Sequence, residues 1–194
     1  GRELWRRAYA VEIKRNHGIS RTVPAVSERV VVSIGPRCHV LCVDAFSGEF
    51  LWGLDLVREW GTKEPLWYTA QCPLMDGETV VLAPAGRALM LGVDAATGRI
   101  LWETPNEDGW AMSHASVVPM EWEGRRMYVY PALGGLVGVA ADGPQAGRIL
   151  WKTSEWRATV QAPSALPLPG GRILITAGYG AGSAMFQLVS DGDR

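Results

Sequence analysis

The sequence predicts an all-β chain built as propeller blades. Three observations carry that prediction: a five-residue motif at a near-constant interval, four short strand-like runs per interval, and no amphipathic helical pattern of ten residues. The motif reads Gly1-Arg-Glu-Leu-Trp5, Gly48-Glu-Phe-Leu-Trp52, Gly98-Arg-Ile-Leu-Trp102 and Gly147-Arg-Ile-Leu-Trp151. Its tryptophans stand 47, 50 and 49 residues apart. A period of roughly 40 to 50 residues belongs either to a helical solenoid or to propeller blades, and the local pattern decides between them.

Within each interval the pattern is that of strands. An apolar run led by proline comes first, at 23–26 and 72–75. A polar turn follows, then a β-branched run at 30–34, 79–82, 127–130 and 173–176. After a Gly/Pro turn a further run occupies 39–45, 89–95, 136–140 and 184–189, and the Gly-x-x-Leu-Trp strand closes the unit. Four short strands in about 48 residues make an antiparallel blade. The turn before each tryptophan is Asp44-Ala-Phe-Ser-Gly48, Asp94-Ala-Ala-Thr-Gly98, or the longer stretch from Asp142 to Gly147. There aspartate caps backbone N–H groups, glycine takes a positive φ, and the chain reverses tightly. One carboxylate per turn is too few oxygens for calcium. Full blades are read at 22–57, 70–106 and 116–155. A fourth, at 161–190, has its outer strand either missing or supplied by residues 2–8. The whole chain, 1–194, is read as a single propeller domain, an open arc of about four blades whose remaining blades lie outside this sequence.

Composition narrows the partners. At 194 residues, 47% hydrophobic and 20% charged, the chain is globular rather than disordered. A net charge of -1 leaves no electrostatic footprint for a phosphate backbone, so nucleic acid is not a predicted partner. The uncharged stretches 127–141 and 173–190 are interrupted by Pro131, Gly134 and Gly135, and by Gly178, Gly180 and Gly182, and read as strand pairs rather than membrane spans. Residues 1–10 carry Arg2, Arg6 and Arg7 with no apolar segment behind them, so no signal peptide is read there. Three cysteines close no disulfide framework, and they leave the compartment undecided.

At the turn and tryptophan the sequence resembles the pyrroloquinoline-quinone-repeat propellers, whose tryptophan-docking motif runs Ala-x-Asp-x-x-x-Gly-Lys-x-x-Trp. The segment from Gly92 to Trp102 departs from it with Gly92 for Ala and Arg99 for Lys, and the segment from Cys42 to Trp52 with Cys42 and Glu49. The resemblance covers nearly the whole chain. It implies a quinoprotein-like propeller in the periplasm or outside the cell. The group includes quinone-dependent alcohol and sugar dehydrogenases and also non-enzymatic scaffolds such as the outer-membrane assembly lipoprotein. In the alcohol dehydrogenases the quinone stacks on a disulfide of adjacent cysteines beside calcium. No two cysteines are adjacent here. No cofactor is therefore predicted, with pyrroloquinoline quinone plus calcium as the alternative.

With strands ordered from inner to outer, one face of the arc collects short, repetitive turns. The other collects the long, non-repeating connections 9–21, 57–70, 104–116 and 154–162, and distinctive insertions in repeat proteins mark the binding face. That face carries the candidate ligand-binding residues Arg15, His17, Arg21, Arg37, Trp67, Tyr68, Gln71, His114, Gln161 and Tyr179. Arg21, Gln71, His114 and Gln161 precede successive inner strands, so pseudo-rotation brings them toward one axis. Aromatic walls with a few polar groups suit a polar small molecule or a protein segment. The alternative is that these side chains tie down their own loops.

Cys38, His39 and Cys42 imitate metal ligands, but strand parity puts the two cysteines on one side, about 13 Å apart, and the histidine on the other. No metal site is predicted, and whether Cys42 and Cys72 of neighbouring blades pair is left open. His17 and His114 have no carboxylate at a telling distance in sequence. The stretch from Gly178 to Ser183 resembles a phosphate loop but leads into a strand, so it reads as a turn. Catalytic residues are unassigned and enzyme action is undecided. The leading expectation is a binding or assembly scaffold with its ligand on the long-loop face; the alternatives are a quinone-dependent oxidoreductase or another enzyme on the same propeller.

Overall fold

The computed structural model describes residues 1–14 and 21–190. Among these residues, alternation of β-branched and apolar residues with polar turns produces fifteen strands in four antiparallel sheets, each sheet formed by consecutive strands. The first holds β1 (Ala25–Val26), β2 (Val30–Ile34), β3 (His39–Asp44) and β4 (Phe50–Asp55). The second holds β5 (Leu74–Asp76), β6 (Thr79–Leu82), β7 (Ala88–Asp94) and β8 (Ile100–Pro105). The third holds β9 (Val118–Trp122), β10 (Arg125–Ala132), β11 (Gly135–Ala140) and β12 (Ile149–Thr153). Among the described residues the fourth has three strands, β13 (Leu166–Leu168), β14 (Arg172–Ala177) and β15 (Gly182–Gln187). Four such sheets in succession are the blades of a β-propeller arc. The only α-helix among the described residues is the short α1 (Leu56–Trp60), which the sequence pattern had assigned to a loop. Asp55 caps its start through Arg58 N–H, and Gly61 ends it in the left-handed region.

The same irregularity recurs in each complete blade. The ladder between the third and fourth strands slips after Cys42, after Gly92 and after Gly138, immediately beyond the pairs Cys42 with Trp52, Gly92 with Trp102 and Gly138 with Trp151. A bulge there sharpens the local twist and re-aims the tryptophan. A β-carbon on Gly92 or Gly138 would come within 2.2 Å of the indole opposite it, so glycine is required where the ring crosses the strand.

The indoles of Trp5, Trp52 and Trp102 also reach the turn of the following blade. Trp52 Nε1 donates to the Ala95 carbonyl at 2.9 Å, and its ring lies on Gly98, where a β-carbon would sit 2.7 Å from the indole. Trp5 repeats the arrangement one blade earlier, donating to the Ala45 carbonyl at 3.0 Å and covering Gly48. Trp102 lies on Gly147 and stacks on Tyr128 with centroids 6.0 Å apart. The aspartate of the turn is held by its own loop: Asp44 accepts from the Phe46 and Ser47 N–H groups and the Ser47 hydroxyl. Those hydrogen bonds, Ser47 first, hold its carboxyl below the usual carboxylate range, and Thr97 does the same for Asp94. Residues 2–8 form no strand beside β15 among the described residues. Trp5 and Arg7 instead engage the Ala45 and Gly48 carbonyls of the first blade.

Buried side chains form two clusters. One fills the space among the first three blades, with Val32, Val40, Leu82, Met90, Leu91, Tyr130 and Val137. The other joins the third blade to the fourth through Val129, Leu136, Trp156, Ile173 and Ile175. A polar strap, Arg126 and the Tyr128 hydroxyl on Asp76 at 2.7 Å each, ties the third blade to the second.

The ring-on-glycine contact gives a stability prediction. Gly98→Ala forces an L-residue into the left-handed region and a methyl into the Trp52 indole, so it is expected to lower unfolding stability by about 2–4 kcal/mol. Gly109 has a similar φ of 64° with nothing within 4 Å of its would-be β-carbon. Gly109→Ala is expected to cost only about 1 kcal/mol, and urea unfolding of the two variants isolates the ring contact.

Candidate functional site

The long-loop face begins with the segment after α1. Its conformation is fixed from below: Thr69 N–H donates to the Pro36 carbonyl at 2.9 Å, and the Thr69 hydroxyl lies 2.9 Å from the Cys38 sulfur. Immediately before this anchored residue Trp67 and Tyr68 adopt φ values of 69° and 70°. Bulky side chains rarely occupy that region, and each such residue stores of order 1–3 kcal/mol that the surrounding contacts must offset. In the β14–β15 turn Tyr179 does the same, with φ 56° and 76% of its surface exposed.

The strained residues meet. The Trp67 and Tyr179 rings face each other with centroids 6.3 Å apart and planes 24° from parallel, although 112 residues separate them in sequence. The His114 ring lies 6.2 Å from that of Trp67. Its Nε2 sits 2.6 Å from the Leu66 carbonyl, and because a carbonyl only accepts, that nitrogen carries the proton in neutral imidazole. Nδ1 is then an acceptor, buried and without a partner among the described residues. His114 N–H donates to the Gln161 carbonyl, and the Arg21 guanidinium to that of Trp67. Together Arg21, Trp67, His114 and Tyr179 enclose an open cavity of about 310 Å³, with Ala70, Val160 and Ala162 as its apolar floor.

Four of the ten residues singled out from the sequence thus line one cavity. The others are placed differently. Gln71 is fully buried, its amide paired with both the N–H and the carbonyl of Ala83. Gln161 is buried too; its oxygen accepts from Trp156 Nε1 at 2.8 Å and its nitrogen donates to the Thr176 carbonyl. Thr22, at the equivalent place two residues before a proline, donates to the Ile34 carbonyl at 2.7 Å. In these three blades one polar side chain ties the incoming loop to the end of the second strand, which accounts for both glutamines without a ligand. Arg37 pairs with Glu64 at 2.6 Å, bracing the same loop, and Tyr68 accepts the Lys14 N–H through its hydroxyl. Arg15 and His17 lie outside the described residues. Ala70, Val160 and Ala162 carried no signal in the sequence, because a small apolar residue on a loop resembles every other until the loops are folded together.

The cysteines are free and apart. Cys38 precedes β3 at φ 65° rather than continuing the strand, so the parity assumed for it from the sequence does not apply. Cys42 contacts the Ala95 carbonyl, and Cys72 accepts the Val23 N–H. Burial pushes the Cys38 and Cys42 thiols up to about 11. Among the described residues no group of three His, Cys, Asp or Glu is arranged to hold a metal ion. The quinone-with-calcium site of the dehydrogenases needs an adjacent-cysteine disulfide and a calcium donor set. The described residues of the cavity lining offer neither.

Repeated bulges, indoles resting on turn glycines and a variable loop face define a pyrroloquinoline-quinone-repeat propeller. The family model for outer membrane protein assembly factor BamB matches residues 1–188, and the chain belongs to that family. Among solved structures, BamB from Moraxella catarrhalis superposes with a TM-score of 0.56 at 14% identity, over 86% of this chain and 46% of that one. Quinohemoprotein alcohol dehydrogenase from Comamonas testosteroni gives 0.51 at 18% identity, over 70% and 21%. The computationally designed Ika4 protein gives 0.56 at 13%, over 97% and 99%. At these identities the likenesses show the fold alone. The chain spans less than half the length of the natural structures quoted. A search of curated proteins returns no match.

Two predictions follow from the buried groups. Gln71→Leu leaves the Ala83 N–H and carbonyl without partners inside the blade and is expected to cost about 2–5 kcal/mol in urea unfolding, whereas Tyr179→Ser at the exposed turn changes stability far less. The raised Cys38 thiol adds an alkaline dependence. Its neutral form is favoured in the folded state, so its contribution is complete below the ordinary thiol value of 9.0 and is lost as pH rises from there through about 11. Urea midpoints measured between pH 8 and 11 are expected to fall, with Cys38→Ala reducing the fall by at most about 3 kcal/mol.

Proposed function

We propose that this chain is a binding scaffold that receives a partner protein at the Trp67–Tyr179 cavity of its long-loop face. The observation that carries the reading is the clustering of backbone strain: Trp67, Tyr68 and Tyr179, all at positive φ, stand at or beside one cavity. A fold holds aromatic residues in sparsely populated conformations where presenting their rings offsets the cost. Trp, Tyr and Arg are also the residue types that dominate binding energy at protein interfaces. Membership of a family described as an assembly factor is consistent with protein partners. On the same reading the chain works in the periplasm or outside the cell. No helix among the described residues is long and apolar enough to cross a membrane.

Photo-crosslinking in the native host tests this. With p-benzoylphenylalanine in place of Tyr179, a discrete protein adduct is expected. With it in place of Phe46, an equally exposed aromatic on the short-turn face, none is expected. Equal adducts at both positions, or none at 179, overturn the scaffold reading at this face. Addition of pyrroloquinoline quinone and calcium provides the competing outcome: a bound quinone spectrum with dye-linked alcohol oxidation assigns the chain to the oxidoreductases instead.

A further inference from the structure

We infer that the two ends of the blade arc are complementary surfaces and that a second copy of this chain fills both, so that two arcs close head to tail into one ring. The inference makes no use of the Trp67–Tyr179 cavity and stands apart from the scaffold reading.

Burial separates the end blades from the inner ones. Every residue of β11 is buried, and so is β7 up to Val93, because a sheet with a neighbour on each side covers both of its faces. In the first and last blades burial alternates. β2 buries Val30, Val32 and Ile34, and β14 buries Ile173, Ile175 and Ala177, each leaving the residues between them only partly covered or exposed. The uncovered faces are apolar. Cross-strand neighbours Val26, Val31, Val43 and Phe50 form a row on the first blade, and Leu166, Leu174 and Met185 form one on the last. Val26 is 62% exposed, Phe50 63%, Leu166 53% and Met185 51%. A terminal repeat that faces water needs a polar outer surface, and these rows are the opposite.

Residues 1–8 point to what covers them. They carry the Gly-x-x-Leu-Trp motif that forms the outer strand of each complete blade, yet they pair with no strand among the described residues. Trp5 nevertheless docks on Ala45 and Gly48 as Trp52 docks on Ala95 and Gly98. Residues 2–8 thus stand where the outer strand of a blade preceding the first belongs. The last blade has the converse composition, three strands with the outer side of β15 unpaired among the described residues. Such an edge accepts a further strand. Setting β13–β15 of one copy beside residues 2–8 of another completes a four-stranded blade and brings the two apolar rows to one interblade junction. A second junction of the same kind joins the remaining ends, and a head-to-tail contact forms a ring when its rotation closes. Two arcs suit closure: this arc superposes on 46% of the BamB chain, and twice four blades lies within the roughly four to eight of known rings.

Sedimentation equilibrium of the 194-residue chain tests this, with twice the chain mass expected at micromolar concentration. Two double variants probe the ends: Val26→Asp with Phe50→Asp on the first blade, and Leu166→Asp with Met185→Asp on the last. Their charges sit at exposed positions of a single arc but inside the junction of a pair. Each is expected to weaken association at least about tenfold while keeping the cooperative urea transition of the arc. An equal mixture of the two is expected to recover part of the dimer, since the mixed pair has one junction that is native on both sides. A monomeric native chain overturns the inference. Loss of the dimer in only one double variant overturns head-to-tail pairing, because an end that contacts its own kind gives that pattern. Unchanged dimer in both places the contact elsewhere and overturns it too. Mass that climbs past the dimer with concentration overturns ring closure. Should a double variant lack the urea transition, its two single variants take its place.

Discussion

A tryptophan ring lying on a glycine of the next blade is the contact from which the rest of this structure follows. A blade of four short strands has two apolar faces and little curvature to bury either, so it needs a neighbour at a fixed distance and rotation. The indole supplies both. Its area excludes water between blades, and its N–H fixes the angle by a hydrogen bond to the turn carbonyl, as Trp52 does on Ala95. The fit works only where the turn has no β-carbon, which is why Gly48 and Gly98 stand under Trp5 and Trp52. The bulge beside each tryptophan belongs to the same device, since it turns the ring out of its own sheet toward the neighbour.

That device divides the molecule into two unlike faces. On the short-turn face the aspartates, hydroxyls and glycines are occupied by their own turns and by the neighbouring indole, so variation there is costly. The opposite connections are not part of the contact and are free to differ in length and content. Their internal order has other sources: the Cys38–Thr69 contact, the Arg37–Glu64 pair, and the buried Gln71 and Gln161 that tie loop entries to second strands. On this base the Trp67 and Tyr179 segments hold strained conformations that isolated loops would relax.

The architecture was legible in the sequence because a repeat reports a geometric constraint many times over. Period, turn residues and alternation each point to the same blades, and strands β2 and β6 begin and end where the β-branched runs do. The helix α1 escaped because five residues do not complete a periodic pattern, and only the cap at Asp55 and the terminator Gly61 announce it. The site was legible in part. Arg21, Trp67, His114 and Tyr179 stood out as unusual residue types on the variable face. Gln71 and Gln161 looked the same by that criterion, yet a buried glutamine bonded to backbone and a pocket glutamine are identical in one dimension.

By itself, then, the sequence determined the blades, their order, the reversal at each Asp…Gly turn and which face carries variation, because all of these are set by contacts within about 50 residues and repeated along the chain. The tertiary structure alone decided which loop residues share a cavity. Trp67 and Tyr179 are brought within 6.3 Å by the accumulated rotation of successive blades and by backbone strain that only the packed loops sustain. Convergence of that kind depends on angles between sheets, and no local pattern in the sequence records them.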